Sequence, residues 1–167
     1  MKENDKKDLF IVILVILAIL VPLITYLIDS QKKVEENYKI VTDYNDFYTV
    51  SSCISRVIDY INSDNSDSLL LVVNDNYKKK NKIDIDNVKS IFNEVLDNSN
   101  FVPKKMYYFQ NNDIKKFYVY GKNVIEDFDG IIEQKDIYFV VYLNIAKKTF
   151  SIEPYDGKIF LGGDNSE

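Results

Sequence analysis

Between Leu9 and Ile28 the chain runs LFIVILVILAILVPLITYLI, twenty residues without a charge. At about 1.5 Å per residue a helix of that length reaches about 30 Å, the hydrocarbon thickness of a bilayer. Its only polar side chains are Thr25 and Tyr26, near the C-terminal end. A buried helix of a soluble protein seldom needs to be apolar on every face, whereas a lipid-facing helix does. The expectation is therefore a transmembrane helix over residues 9–28, in contact with membrane lipid. A cleaved signal would have an apolar stretch of about 7–15 residues and small residues at the cut. Here the run is longer, and its exit, YLIDS, offers no such pair, which favours an uncleaved signal anchor. Pro22 can bend such a helix without breaking it.

Orientation follows from what flanks the segment. Lys2, Lys6 and Lys7 precede it, and Lys32, Lys33 and Lys39 follow, so positive charge alone discriminates little. The long C-terminal part fits a short tail inside and a domain outside. The expected organisation is a cytoplasmic tail over residues 1–8 and the membrane helix over 9–28. A stalk over 29–42, an extracytoplasmic domain over 43–155 and a polar C-terminal tail over 156–167 follow, the tail including an apolar run, Ile159-Phe160-Leu161, that can dock back on the domain. The chain length after the anchor suits one domain of ordinary size.

Charge and composition narrow the chemistry. The chain carries 21 Lys+Arg against 26 Asp+Glu, a net of −5. That balance speaks against nucleic acid as a partner, because such affinity rests on neutralising phosphates. There is no histidine, the commonest metal ligand and the usual acid or base near neutral pH. Cys53 is the only cysteine, so no intrachain disulfide and no cysteine-based zinc site can form. It falls on a helical pattern among Val50, Ile54 and Val57, which reads as a small buried side chain.

Phe47, Val50, Ile54, Val57, Ile58 and Ile61 recur at three- and four-residue spacing and predict one apolar helix face. Asp43 or Asn45 is expected to cap it, and Asn62-Ser63-Asp64-Asn65 to end it. Ser66 is expected to cap a shorter helix over residues 67–74, although its run of Leu and Val also suits a strand. YKKKNK, residues 77–82, reads as a basic loop. Asp84 or Asp86 would then cap a third helix with Val88, Ile91, Phe92, Val95 and Leu96 on one face. From Lys104 the period drops to two. KMYYFQ (105–110), IKKFYVY (114–120), DIYFVVYLNI (136–145) and KTFSIEP (148–154) read as strands. The last two join as a hairpin across Ala146-Lys147. In the third, Phe139, Val141, Leu143 and Ile145 share one face while Tyr138, Val140 and Tyr142 share the other, which suits an interior strand. Residues 121–134 read as irregular, with at most a short edge strand at 123–125.

Helices gathered before an antiparallel sheet mean an α+β fold. The long helix from Phe47, the short one from Ser66 and the terminal hairpin YFVVYLNIAKKTFSIEPY together resemble the NTF2-like, or cystatin-like-roll, superfamily. That resemblance implies about three helices packed on a curved antiparallel sheet. A short tail, one membrane helix and an external cone domain are similar to the VirB8/TcpC-type scaffold proteins of conjugative secretion systems. The resemblance thus implies a non-enzymatic interaction or scaffold domain at a bacterial cell envelope, with protein partners there. Two alternatives stay open: a cone that binds a small apolar ligand or performs simple acid/base chemistry, and a component of a conjugative secretion apparatus.

Few motifs carry chemistry. Glu126-Asp127-Phe128-Asp129-Gly130 matches a calcium loop at Asp127, Asp129, Gly130 and Asp136, but Ile125 fails at the first ligand position. No metal, cofactor or catalytic residue is therefore assigned. Carboxylates for glycoside cleavage can be drawn from Asp84, Asp86, Glu126 or Asp127, with nothing to set their separation. The thirteen tyrosines are the richest feature. Tyr107, Tyr118, Tyr120, Tyr138 and Tyr142 lie on strands. They can line a pocket with hydroxyl handles, complete the core and rim of a small sheet, or form a protein contact.

Overall fold

A hydrophobic stripe with polar punctuation at both ends builds the first long element. The computed structural model describes residues 38–161; the expected tail, membrane helix and most of the expected stalk lie outside the described residues. The chain divides after Tyr38, and the second unit begins at Lys39. Here α1, Tyr44–Asn62, buries Val50, Ile54, Val57, Ile58 and Ile61. Of the two expected caps, Asp43 acts: its Oδ1 accepts the Asn45 N–H at 2.8 Å, filling one of the donors a helix start leaves open. The Ser63 N–H closes the far end on the Asp59 carbonyl, and Asp64 turns the chain at φ +53°.

Three short elements follow. α2, Ser66–Val72, is a helix as its polar start implies, but its cap is Asn65, whose Oδ1 accepts the Ser68 N–H. The strand tendency of the same run survives at one residue. Val73 leaves the helix, bridges Ile152 in parallel, and the Asn74 N–H bonds the Ile152 carbonyl at 2.9 Å. The expected basic loop is instead a helix, α3, Asp75–Asn81. Asn74 caps it by accepting from the Asn76 and Tyr77 N–H groups, and Lys78, Lys79 and Lys80 suit the negative end of the helix dipole. The expected third α-helix is only a 3-10 turn, Val88–Phe92. Asp84 folds into a side-chain turn with Asp86 and Asn87, and Asn87 and Ser90 bond locally; such polar residues compete with the α-helical ladder. Val88, Phe92 and Val95 are nevertheless buried.

Five antiparallel strands make the sheet, in chain order. They are β1, Lys39–Ile40; β2, Asn100–Asn111; β3, Ile114–Asp127; β4, Gly130–Asn144; and β5, Thr149–Pro154. Lys39 and Ile40, counted with the stalk by sequence, pair with Tyr108 and Tyr107. The stretch expected to be irregular, residues 121–134, is regular hairpin. β3 runs on to Asp127, and β4 starts at Gly130, whose φ of +121° the turn requires. A register shift after Ile125 masked the period. β4 is interior, as its two apolar faces imply. At Gly121 the Phe101 ring lies across the strand, 2.2 Å from where a Cβ would stand.

The four helices among the described residues of this α+β fold include a last turn, α4, Lys158–Leu161, inside the segment expected to be a polar tail. α1, α2 and the 3-10 turn supply Ile54, Leu69, Val88 and Phe92 to one core. The sheet supplies Met106, Phe117, Val119, Ile137, Phe139, Val141 and Ile152. Each such side chain contributes about 1.5–3 kcal/mol by leaving water. Lys115 at the start of β3 grips both carboxylate oxygens of Asp46 on α1, at 3.1 and 2.9 Å. Among the described residues no helix is long and apolar enough to cross a membrane.

Candidate functional site

Alternation along the strands sorts side chains onto two faces. In β3, Phe117 and Val119 enter the core, so Lys116, Tyr118, Tyr120 and Lys122 stand on the face away from α1 and α2. Strand register then sets Tyr107 opposite Tyr118, Tyr120 opposite Tyr138, and Lys116 opposite Tyr142. The five tyrosines singled out from sequence therefore share one face. The Tyr120 and Tyr138 rings stack at 5.2 Å. Lysines interleave with them: Lys105 Nζ lies 5.2 Å from the Tyr107 ring centre, and Lys116 Nζ 4.6 Å from Tyr118 and 5.5 Å from Tyr142. Such cation–ring contacts hold the ammonium groups against the sheet.

Two acids close the edges of this face. Tyr120 donates its hydroxyl to Asp136 at 3.2 Å, and Lys122 pairs with the same carboxylate. That bond raises the Lys122 ammonium above its ordinary value. Tyr142 donates to Glu153 at 2.9 Å. The Tyr138 phenol is pushed up, first by burial and then by Asp136 and Tyr120.

The residues after β5 belong to this face too. The Tyr155 N–H bonds the Tyr138 carbonyl at 3.0 Å. The Tyr155 ring stands edge-on to Tyr118 at 5.0 Å. Gly157, at φ +75°, lets the chain turn back with its α-carbon against the Tyr138 ring. Phe160 then sets its ring among Tyr107, Tyr120 and Tyr138, at 5.4–5.8 Å. Sequence reasoning left Tyr155 and Phe160 out of the site; the apolar run Ile159-Phe160-Leu161 inside a polar stretch is the signal that points to them. Tyr118 is consequently buried, and Tyr107, Tyr120, Tyr138 and Tyr142 are half-buried.

The opposite face of the sheet is filled by the protein's own core. Open space among the described residues includes a groove of about 480 Å³ among α2, α3 and β5, one of about 490 Å³ along Phe109, Ile114, Lys116 and Tyr142, and a cleft of about 280 Å³ where Phe92 of the 3-10 turn and Val95 after it meet Ile137 and Tyr155. The acidic run at residues 126–130 closes its own turn, with Asp127 Oδ1 accepting the Asp129 N–H at 2.8 Å. Asp84 and Asp86 precede the 3-10 turn, whereas Glu126 and Asp127 end β3. Burial pushes the Cys53 thiol up, against a smaller opposing effect of Arg56, which disfavours the thiolate a nucleophile needs. Among the described residues no group of His, Cys, Asp and Glu side chains is placed to hold a metal ion. No protein-family model, no curated protein and no solved structure matches this chain.

Proposed function

We propose that this chain is a single-pass protein of a bacterial cell envelope. Leu9 to Ile28 lie in the membrane, the tail before them is cytoplasmic, and the α+β domain is an extracytoplasmic, non-enzymatic interaction module. Helices preceding an antiparallel sheet support an NTF2-like ancestry, with a scaffold role in a conjugative apparatus as a special case. The observation that carries the reading is the sheet face turned away from α1 and α2, where aromatic rings alternate with lysines around Tyr107, Tyr118 and Tyr142. Tyrosine with an adjacent cation is the composition of protein contact surfaces. A small-ligand reading needs room between helices and sheet, and Phe117, Val119, Phe139, Val141 and Ile152 occupy it.

Three measurements test this. The full chain stays in the membrane pellet through alkaline extraction, and removal of residues 9–28 releases it; release of the full chain ends the anchor reading. Sidedness is best probed with Asp59→Cys in a Cys53→Ala background, because Asp59 is exposed and Cys53 is not. An impermeant thiol reagent added to intact cells labels it. For the contact surface, a photo-crosslinking residue at position 105 or 142 joins envelope proteins, while one at position 59 does not. Lipid adducts alone from positions 105 and 142 would refute the interaction role.

A further inference from the structure

A sheet edge without a neighbour can pair with another chain unless a proline or a bulge blocks it. β4 has a neighbour for part of its length only. β5 pairs with it from Asn144 to Phe139, and the Tyr155 N–H bonds the Tyr138 carbonyl. Past Tyr138, toward the turn, β3 still pairs on one side without a break, from Ile137 opposite Gly121 to Glu133 opposite Ile125. Among the described residues no strand pairs there on the other side. Backbone groups alternate between the two sides of a strand. The Tyr138 carbonyl faces outward, so the N–H and C=O groups of Asp136 and Gln134 do too. No described group bonds to them, and residues 131–134 and Asp136 are exposed.

The other edge of the sheet is guarded. Past the residues that β1 covers, β2 carries Pro103 and a register shift between Pro103 and Lys105. Both devices stop pairing. β4 has no proline, and its own register shift lies beyond Glu133, toward the turn.

Charge around the free edge selects what fits it. Glu126, Asp127, Asp129 and Glu133 are exposed and pair with no cation among the described residues. Lys122 and Lys135 are each held by another acid, Asp136 and Glu94. A second copy of the chain would bring the same unpaired acids, and anionic lipid would be repelled as well. An incoming strand therefore needs positive side chains. Beside the edge, the cleft of about 280 Å³ is lined by Phe92, Val95, Ile137, Phe139 and Pro154. It has room for one apolar side chain on the core side of an added strand.

We propose that the free edge of β4, residues 133–137, takes an extended segment of a partner protein as an added strand. The segment carries Lys or Arg at alternate positions and an apolar side chain that enters the cleft beside Ile137. Main-chain bonds to Gln134 and Asp136 supply the hold, while the acids and the cleft select the sequence, as strand addition generally works. The inference rests on the reading of the domain as an interaction module and names the kind of partner.

The test uses the full chain in phosphatidylcholine nanodiscs and, as probe, a fluorescent peptide of four Lys-Val repeats. Anisotropy is expected to show saturable binding, with slower hydrogen exchange in residues 130–138. Methylating the peptide's valine nitrogens or its lysine nitrogens, whichever set faces β4, weakens binding about tenfold or more, because main-chain bonds carry the contact. Gln134→Pro removes one outward N–H and leaves the β3 ladder alone, so circular dichroism matches the parent while binding falls about tenfold. Asp129→Lys with Glu133→Lys lowers binding about fivefold at low salt, and a peptide of four Glu-Val repeats binds about tenfold more weakly or not at all. No binding, or equal binding of both methylated peptides, would overturn the proposal. So would slow exchange in residues 130–138 of the peptide-free chain that grows with chain concentration, the mark of a second copy on the edge. Cross-linking at positions 105 and 142 reads the aromatic face separately, so failure of that contact shows there.

Discussion

Asn123 is fully buried on β3, where an apolar side chain would be expected. Its Oδ1 accepts the Leu96 N–H at 2.6 Å and its Nδ2 donates to the Asn100 carbonyl at 3.3 Å. It thereby holds the turn after the 3-10 segment onto the sheet. Asn123→Leu fills similar space but leaves a buried N–H without an acceptor, so it is expected to cost about 1–3 kcal/mol. Urea unfolding checks this as a lower midpoint at unchanged slope. At Cys53 the raised thiol means less thiolate at a given pH in the folded protein. The thiol is expected to react with a thiol reagent at pH 7.5 more slowly than in urea, the gap narrowing as pH rises toward the folded value. Stopped-flow labelling reads the ratio directly.

At the scale of elements, capping and covering decide what the local pattern left open. α3 looks like a solvated lysine run, yet Asn74 accepts two of its first N–H groups and reaches Ser151 on β5 through Nδ2. Asn74→Ala is expected to destabilise the protein by about 1–2 kcal/mol and to speed amide exchange in Asp75–Asn81 ahead of α1. The segment after β5 is a cover over aromatic rings. Phe160→Ala removes the ring that meets Tyr107, Tyr120 and Tyr138. Because these rings are only half-buried, the expected loss is about 1–2 kcal/mol, with a rise in binding of a fluorescent apolar dye as the check. A stable protein that binds no more dye would show that the rings stay covered without Phe160.

For the whole molecule, one continuous cluster joins α1, α2, the 3-10 turn and four strands. Ile54, fully buried at its centre, makes helix and sheet report the same event. Ile54→Ala is expected to cost about 2–5 kcal/mol. Far-ultraviolet dichroism, dominated by the helices, and tyrosine fluorescence, dominated by the sheet, should shift together. Separate midpoints would mean that helices and sheet unfold independently.

The α+β class, the α1 stripe, the strand character of residues 105–120 and 136–154, and the β4–β5 hairpin were legible because each rests on local periodicity and turn chemistry. The candidate tyrosines were also legible as strand residues, and alternation put Tyr138 and Tyr142 on one face. Only the tertiary structure decided that β3 and β4 continue through residues 121–134, since a bulge after Ile125 breaks the period that sequence reasoning follows. It also decided that Tyr107, Tyr118, Tyr120, Tyr138 and Tyr142 stand on the same side, because cross-strand register comes from pairing over long sequence distances. The return of Phe160 onto them arises in the same way. A single sequence displays its own periods; which distant segment answers which is settled only when the chain closes on itself.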